Sequence, residues 1–186
     1  MNEEHLIFLD ELGRGKRYQD VPEEFFEKFK SEIPDSLLAF WREEGWSSYA
    51  GGLLWTVNPE EYAWLVDGWV RGFAEIPPSN FYVFARSAFG EFYCMSVDSR
   101  RVLTISCPRA LLVAPEEFFK VERSAEAAID IFFSMVDREE FDFFDDDDTP
   151  LFKRAVKRLG RLAADEMYGF VPALTLGGAA VPPVSG

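Results

Sequence analysis

Hydrophobic and polar positions in the middle of the chain predict a strand followed at once by a helix. The strand covers residues 53–57, a run of β-branched and aromatic side chains. Asn58 offers a side-chain oxygen to the first free amides of the helix, Pro59 fits its first position, and Glu61 has the spacing of a capping-box carboxylate. The helix then carries one apolar stripe, formed by Tyr62, Leu65, Val66 and Trp69. We therefore expect this helix to pack onto a sheet.

Two helices are predicted before this unit. The first begins at residues 20–23 and ends at Pro34, which also begins the second, and Gly45 ends the second. The expected buried positions are Phe25, Phe26, Phe29 and Ile33 in the first helix and Leu37, Leu38 and Trp41 in the second. The pair forms a helical hairpin with almost no connecting loop.

After a loop at residues 76–79, the period of the pattern changes to that of β-strands. The predicted strands are residues 81–86, 91–97 and 102–105, with a short fourth strand at residues 110–113. Gly90 belongs to a hairpin connection, and residues 98–101 form the next turn. Helices and antiparallel strands are thus segregated along the chain. The predicted fold class is α+β, an antiparallel meander packed against several helices.

The last third of the chain is predicted to contain two more helices. Ser124 is a suitable cap for the first. Its expected buried positions are Ala125, Ala128, Ile129, Phe132 and Val136. Thr149 and Pro150 begin the second helix, and Gly160 ends it. Its apolar stripe is Phe152, Ala155, Val156 and Leu159, and its opposite side carries Lys153, Arg154, Lys157, Arg158 and Arg161. Residues 167–178 fit a strand or an extended segment on the sheet.

Composition indicates a folded protein with an acidic surface. Of the 186 residues, 48% are hydrophobic and 28% charged, and 19 phenylalanines imply an aromatic core. A net charge of −14 disfavours binding to nucleic acid or to an anionic membrane and favours basic partners. The charge is uneven, because residues 149–186 carry five basic and two acidic side chains, whereas residues 1–148 carry 14 basic and 31 acidic ones.

The termini and the cysteines predict a cytoplasmic protein. Residues 1–5 are acidic where a signal peptide needs positive charge, and glycines and prolines interrupt the apolar run at residues 171–184. Cys94 and Cys107 lie in or beside strand-like runs, and we interpret both as free thiols of a reducing compartment.

Few groups suited to catalysis are available. The single histidine, His5, lies in an N-terminal segment that looks exposed, so histidine-based triads and histidine-rich metal sites are excluded. The chain has neither a CxxC motif nor a phosphate-binding loop. We therefore expect no enzymatic activity, no cofactor and no metal, with a hydrolase built on paired carboxylates as the enzymatic alternative.

One acidic segment is the strongest candidate for function: residues 137–148 hold eight acids in twelve positions. It can be a solvated loop whose charge favours the N-terminus of the following helix and screens that helix's basic side. A calcium loop needs a glycine at its sixth position, which this segment lacks. It can also be a contact surface for a basic partner. The candidate partner-binding residues are Glu139, Glu140, Asp142, Asp145, Asp146, Asp147 and Asp148.

The acidic segment also contains three phenylalanines, Phe141, Phe143 and Phe144. A segment that acted through its charge alone would not need these aromatic rings. They either anchor the segment to the core or supply apolar contacts in an interface.

Two groups of motifs resemble a known family. Residues 41–45 (WREEG), 49–55 (YAGGLLW) and 57–62 (VNPEEY), with Trp69, resemble the GAD-like domain of bacterial proteins. Residues 151–152, Ala155, 159–160 and 168–178 (YGFVPALTLGG) resemble the C-terminal domain that often follows it. That pairing occurs in immunity proteins of the type VI secretion system, including those that neutralise a DNase toxin. The resemblance implies a GAD-like domain at residues 13–108, the C-terminal domain at 109–180 and a frayed tail at 181–186.

The resemblance implies a cytoplasmic immunity protein that binds and neutralises a secreted toxin. The expected partner is a cognate toxin, a basic nuclease, with no nucleic acid and no membrane among the partners. The matching motifs are structural and carry no catalytic residue to transfer. The alternative is a small-ligand-binding or regulatory module, because all five tryptophans fall between Trp41 and Trp69.

Overall fold

A seven-stranded antiparallel sheet lies at the centre of the fold, and its strands follow one another in chain order. They are β1 (Lys16–Gln19), β2 (Trp46–Tyr49), β3 (Leu54–Thr56), β4 (Phe81–Ser87), β5 (Glu91–Ser96), β6 (Val102–Ser106) and β7 (Leu111–Val113). The predicted meander forms β4 to β6, the short fourth strand is β7, and the strand predicted before Asn58 is β3. The predicted fold class, α+β, is confirmed. β1 and β2 are additions to it.

The computed structural model describes residues 1–71, 81–97, 102–114, 124–178 and 180. The loop predicted at 76–79, the turn predicted at 98–101 and the predicted tail at 181–186 lie outside these residues. The described α-helices are α1 (Glu3–Leu12), α2 (Glu23–Phe29), α3 (Asp35–Glu44), α4 (Ala63–Val70), α5 (Ala125–Ser134) and α6 (Phe152–Leu159). Single 3₁₀ turns cover Pro59–Tyr62, Arg138–Phe141 and Leu174–Leu176.

The helices cover both faces of the sheet, which explains the nearly continuous apolar runs of β4 and β5. One face packs Phe84 and Met95 into a large core with side chains of α1, α3 and α5. The other face packs Val83 and Phe92 with Leu65 of α4. The predicted positions Phe25, Ile33, Leu37 and Trp41 are all buried in the larger core.

Local caps agree with the sequence patterns at three helix ends. The Asn58 side chain accepts a hydrogen bond from the Glu60 amide at 3.1 Å, and the Ser124 side chain accepts one from the Ala127 amide at 3.1 Å. Gly45 ends α3 with φ +67°, a conformation that favours glycine. The helix predicted after Asn58 begins with a 3₁₀ turn and continues as α4.

The N-terminal segment is a helix, and the interpretation of His5 as exposed is wrong. Asn2 caps α1 by accepting from the His5 amide at 3.0 Å, and the His5 ring is 1% exposed. The Asn2 amide donates to Nδ1 of His5 at 3.3 Å, so Nε2 carries the proton shared with Ser36 Oγ at 3.1 Å. Ser36 Oγ in turn donates to Asp130 at 2.9 Å. The sequence analysis missed this network because it assigned no helix to these residues.

Helix α5 completes the starts of two earlier helices. The Glu126 carboxylate accepts hydrogen bonds from the amides of Asp35 and Ser36 at 2.6 and 3.0 Å, at the N-terminus of α3. Asp130 also accepts from the Asn2 side chain at 3.0 Å, at the start of α1. The free amides at the start of α3 require such an acceptor, whereas at α1 the carboxylate of Asp130 positions the Asn2 side chain that caps the helix.

An aromatic cluster joins the same elements through apolar contact. The ring of Phe133 on α5 lies 5.1 Å from that of Phe8 on α1, 4.6 Å from that of Phe40 on α3 and 4.7 Å from that of His5. All four side chains are buried. The core of the N-terminal half therefore includes a side chain from the C-terminal half.

We predict that Phe133→Ala destabilises both halves together, by about 3–5 kcal/mol, because it opens a cavity in the shared core. Tryptophan fluorescence during urea unfolding measures this, since every tryptophan lies in the N-terminal half. Met135→Ala, at the exposed end of the same helix, is the control. A fluorescence transition that does not move in Phe133→Ala would contradict the shared core.

We also predict a stability loss in mild acid that depends on His5. Burial, followed by the positive N-terminus, lowers the pKa of His5 below its ordinary 6.5, whereas Asp130, Glu4 and Glu43 raise it less. The unfolded chain therefore binds this proton more readily, so the free energy of unfolding is largest above pH 6.5 and falls as the pH drops below it. Urea melts from pH 7.5 to 5 should show this slope, and it should be reduced in His5→Gln. If the free energy of unfolding depends on pH equally in His5→Gln and in the unsubstituted protein, His5 is not the group responsible.

Candidate partner-binding surface

The acidic segment, residues 137–148, follows α5 and is anchored by two of its three phenylalanines. Phe141 and Phe143 are buried, with their rings 5.5 Å from Tyr93 and 5.3 Å from Phe89, respectively. Phe144 is half-buried. The interpretation that these rings attach the segment to the core is confirmed for Phe141 and Phe143.

Beyond Phe143 the segment turns back on itself as a tight loop. The Leu151 amide donates to the Phe143 carbonyl at 2.8 Å, and the Asp145 amide donates to the Thr149 carbonyl at 3.1 Å. Asp148 has φ +58°, a left-handed conformation that aspartate tolerates better than most residues. Residues 146–148, the acidic tip, are exposed at the end of this loop. Hydrogen bonds of the Asp147 and Asp148 amides to Asp145 hold the backbone of this tip.

Asp145 holds this loop together from inside. One of its carboxylate oxygens accepts from the Asp147 and Thr149 amides at 3.1 and 2.9 Å. The other oxygen forms an ion pair with Arg154 of α6. The hydrogen bond from Arg154, followed by that from Thr149, lowers the pKa of Asp145. Part of the basic side of α6 is thus screened by the acidic segment.

The prediction that Thr149 caps α6 is wrong, because the N-cap position is Leu151 and Asp142 supplies the side-chain acceptor from across the loop. The half-buried Asp142 accepts hydrogen bonds from the Phe143 and Phe152 amides at 2.8 and 2.9 Å. Thr149 lies too early in the chain, because its backbone belongs to the loop and the helix begins at Phe152. Burial raises the pKa of Asp142, and the two backbone hydrogen bonds partly offset that shift.

The seven predicted partner-binding residues thus fall into two groups. Asp142 and Asp145 bond to the protein's own backbone and to Arg154. Five carboxylates are exposed and form no ion pair within the described part of the chain: Glu139, Glu140, Asp146, Asp147 and Asp148. These five form the exposed acidic surface that a partner could contact.

The sequence analysis missed a polar support beneath the segment. Glu91, a buried residue of β5, accepts from Ser106 Oγ at 3.0 Å and from Arg109 at 2.6 Å. The Arg109 guanidinium lies 4.1 Å from the centre of the Phe143 ring. A charged residue at the start of a strand gives no sequence signal for such a contact.

The tryptophans do not form a ligand pocket in the described structure. Trp41, Trp46 and Trp55 are core residues, and Trp69 is half-buried. Trp64 is 72% exposed on α4. Two surface depressions of about 500 and 210 Å³ have no tryptophan in their linings. The structural interpretation of these rings as mainly core residues is confirmed.

The cysteines are free, as predicted. Cys94 is fully buried and Cys107 half-buried, and burial raises the pKa of both thiols, which disfavours the reactive thiolate. None of the helices in the described ranges has the length and apolar character needed to cross a bilayer.

Comparison with protein families identifies the chain. The profile of the GAD-like domain matches residues 3–109. The chain belongs to the GAD-like domain family. A second profile, that of the C-terminal domain of the type VI secretion immunity protein Tdi1, matches residues 126–182 of this GAD-like protein. That match indicates an immunity-protein role.

A solved structure shows the same fold. The crystal structure of Atu4351 from Agrobacterium tumefaciens superposes with a TM-score of 0.82 at 24% identity, covering 96% of this GAD-like protein and 80% of Atu4351. No curated protein matches the sequence.

We predict that Asp142→Ala destabilises the protein by about 1 kcal/mol, the usual cost of losing an N-cap. Thr149→Ala is the matched control and should have little effect, because the Thr149 side chain caps nothing in the described structure. Thermal or urea melts of both variants measure the difference. If Thr149→Ala lost more stability than Asp142→Ala, the sequence-based prediction that Thr149 caps α6 would be favoured again.

Proposed function

We propose that this GAD-like protein is a cytoplasmic immunity protein that neutralises a type VI secreted nuclease by binding it. The observation that carries the proposal is the match of residues 126–182 to the C-terminal domain of the immunity protein Tdi1. Neutralisation is stoichiometric, with the protein acting as an inhibitor and not as an enzyme.

The charge distribution supports a basic toxin as the partner. A nuclease binds the phosphates of its substrate with lysine and arginine side chains. The protein offers carboxylates in their place, with a net charge of −14 and six exposed acids on the acidic segment. Attraction between opposite charges can raise the association rate of two proteins roughly 10- to 1000-fold.

The exposure of these acids determines what they contribute. Exposed ion pairs are worth only about 0.2–1 kcal/mol each, because water and salt screen them. We therefore assign the acidic tip to the rate of capture more than to the final affinity. Rapid capture suits a protein that must reach the toxin before the toxin reaches DNA.

Co-expression with the toxin encoded by the neighbouring gene tests the proposed function. The chain should restore growth, and the purified proteins should form a complex in which DNA cleavage stops at one equivalent of the chain. Protection at a small fraction of one equivalent would instead indicate an enzyme. A toxin that remains active and unbound at excess chain would overturn the proposal.

For the acidic tip we predict slower association after Asp146, Asp147 and Asp148 are replaced together by asparagine. The association rate should fall about tenfold at low salt, and its salt dependence should flatten, since long-range attraction is reduced. Stopped-flow or biosensor kinetics at low and high ionic strength measure both effects.

A control with the same change in net charge separates local from global electrostatics. Asp10→Asn, Glu11→Gln and Glu24→Gln neutralise three exposed acids of α1 and α2. This control should slow association less than the tip variant does. Equal rates for the two triple variants would remove the tip from the proposed interface.

A further inference from the structure

Eight of the 15 basic side chains in the described ranges form an ion pair with a carboxylate. The ion pairs are Arg14–Glu44, Arg17–Asp20, Lys28–Glu60, Lys30–Glu27, Arg42–Glu23, Arg71–Asp67, Arg109–Glu91 and Arg154–Asp145. Four of the other seven cluster around α6.

These four residues form what we call the cationic surface: Arg138, Lys153, Lys157 and Arg161. Lys153 and Lys157 are exposed and one turn apart on α6, and Arg161 follows one turn later. Within the described ranges these three have neither an ion pair nor a hydrogen bond. Arg138 donates to the Ala50 carbonyl at 3.4 Å and forms no ion pair in these ranges, although its charge helps to lower the pKa of Asp142.

Two of the arginines approach the same turn between β2 and β3. Arg138 contacts Ala50, and the Nη1 atom of Arg161 lies 3.8 Å from the point where a Cβ on Gly51 would stand. Arg138 belongs to the acidic segment, whereas Arg161 follows α6. The turn thus brings together cations from two separate elements.

The turn itself is strained, and Gly51 is exposed, whereas Ala50 is half-buried and Gly52 is buried. Ala50, Gly51 and Gly52 have φ values of +50°, +76° and +104°, and a left-handed alanine costs about 1 kcal/mol. The hydrogen bonds that hold it include those from the Ala50 amide to the Leu12 carbonyl at 3.0 Å and from Trp55 Nε1 to the Gly52 carbonyl at 2.8 Å. Such strain persists where surrounding structure enforces it, often at functional sites. Exposed Gly51 lets a partner approach closely between the arginines.

We infer that the cationic surface docks a cluster of carboxylates on the toxin, namely those that hold its catalytic metal ions; this inference rests on the proposed function. Acidic and cationic surfaces adjoin, because Asp145 and Arg154 join the loop to α6. The complementary partner must carry both signs side by side. A metal-dependent nuclease does so, since carboxylates hold its metal ions in the middle of a cationic DNA-binding surface.

Nucleic acid fits the same surface less well. A polyanionic backbone would meet the four cations but also the exposed acids of the neighbouring loop, on a molecule with net charge −14. A protein with alternating charge satisfies both surfaces.

The sign of a charge change tests the inference. Lys157→Glu with Arg161→Glu makes the protein more acidic, so attraction to a basic toxin alone predicts equal or faster association. The inference predicts a Kd for the purified toxin of the neighbouring gene that is roughly tenfold higher or more. Lys30→Glu with Arg71→Glu, at exposed positions elsewhere, is the control with the same charge change and should leave Kd within about twofold.

Magnesium supplies a second measurement that does not depend on the fold of a variant. At constant ionic strength, Mg²⁺ fills the toxin's carboxylates and should weaken binding of the unsubstituted protein, while the double variant should respond less. Unchanged affinity of Lys157→Glu with Arg161→Glu, or no response of the unsubstituted protein to Mg²⁺, would overturn the inference.

The inference would also be overturned, in favour of a nucleic-acid partner, if the unsubstituted protein bound duplex DNA and the double variant did not. In any of these cases the proposed function stands if the toxin binds the unsubstituted protein and associates more slowly with the acidic-tip variant. If the toxin does not bind at all, the inference and the proposed function both fail.

Discussion

The packing of α5 against α1 and α3 is the contact on which the rest of the structure depends. Phe133 fills the space between Phe8 and Phe40, and two carboxylates on the same helix accept the hydrogen bonds at the starts of α3 and α1. Without α5, the larger core of the GAD-like part would lose an aromatic side chain, the first amides of α3 would lose their acceptor, and the Asn2 side chain that caps α1 would lose a partner. Residues matched by two family profiles therefore share one core.

The position of the acidic segment follows from this packing. The chain leaves α5 at Ser134, and Phe141 and Phe143 return it to the sheet beside Tyr93 and Phe89. Arg86, buried in β4, donates to the Ala164 carbonyl at 2.7 Å and so ties the chain after α6 to the same sheet. The loop between these attachments has little freedom, which is why its exposed carboxylates can form a fixed pattern of charge. An unanchored acidic run would have the same net charge without that pattern.

The sequence predicted the elements whose periodicity is strong and missed those whose partners are remote. The strands from Phe81 to Ile105 and the helices capped by Asn58 and Ser124 have clear local signals. β1 carries mostly polar residues, because it lies at the edge of the sheet with an exposed face. The buried environment of His5 and the capping role of Asp142 depend on residues far along the chain or across a loop. Local spacing favoured Thr149 as the cap, but the loop's backbone pairing places the aspartate nearer to the free amide.

The division of the acids between structure and surface has a physical cause. A net charge of −14 destabilises a compact chain through repulsion, and the cost rises for carboxylates removed from water. Each acid that the fold withdraws from water therefore needs donors: Glu44 accepts from Arg14 and the Gly15 amide, Glu91 from Arg109, and Asp142 from two amides. Acids left without donors remain where water solvates them. The distribution of charge that keeps the fold stable thus leaves the exposed carboxylates, and the cations of the cationic surface, free to interact with a partner of complementary charge.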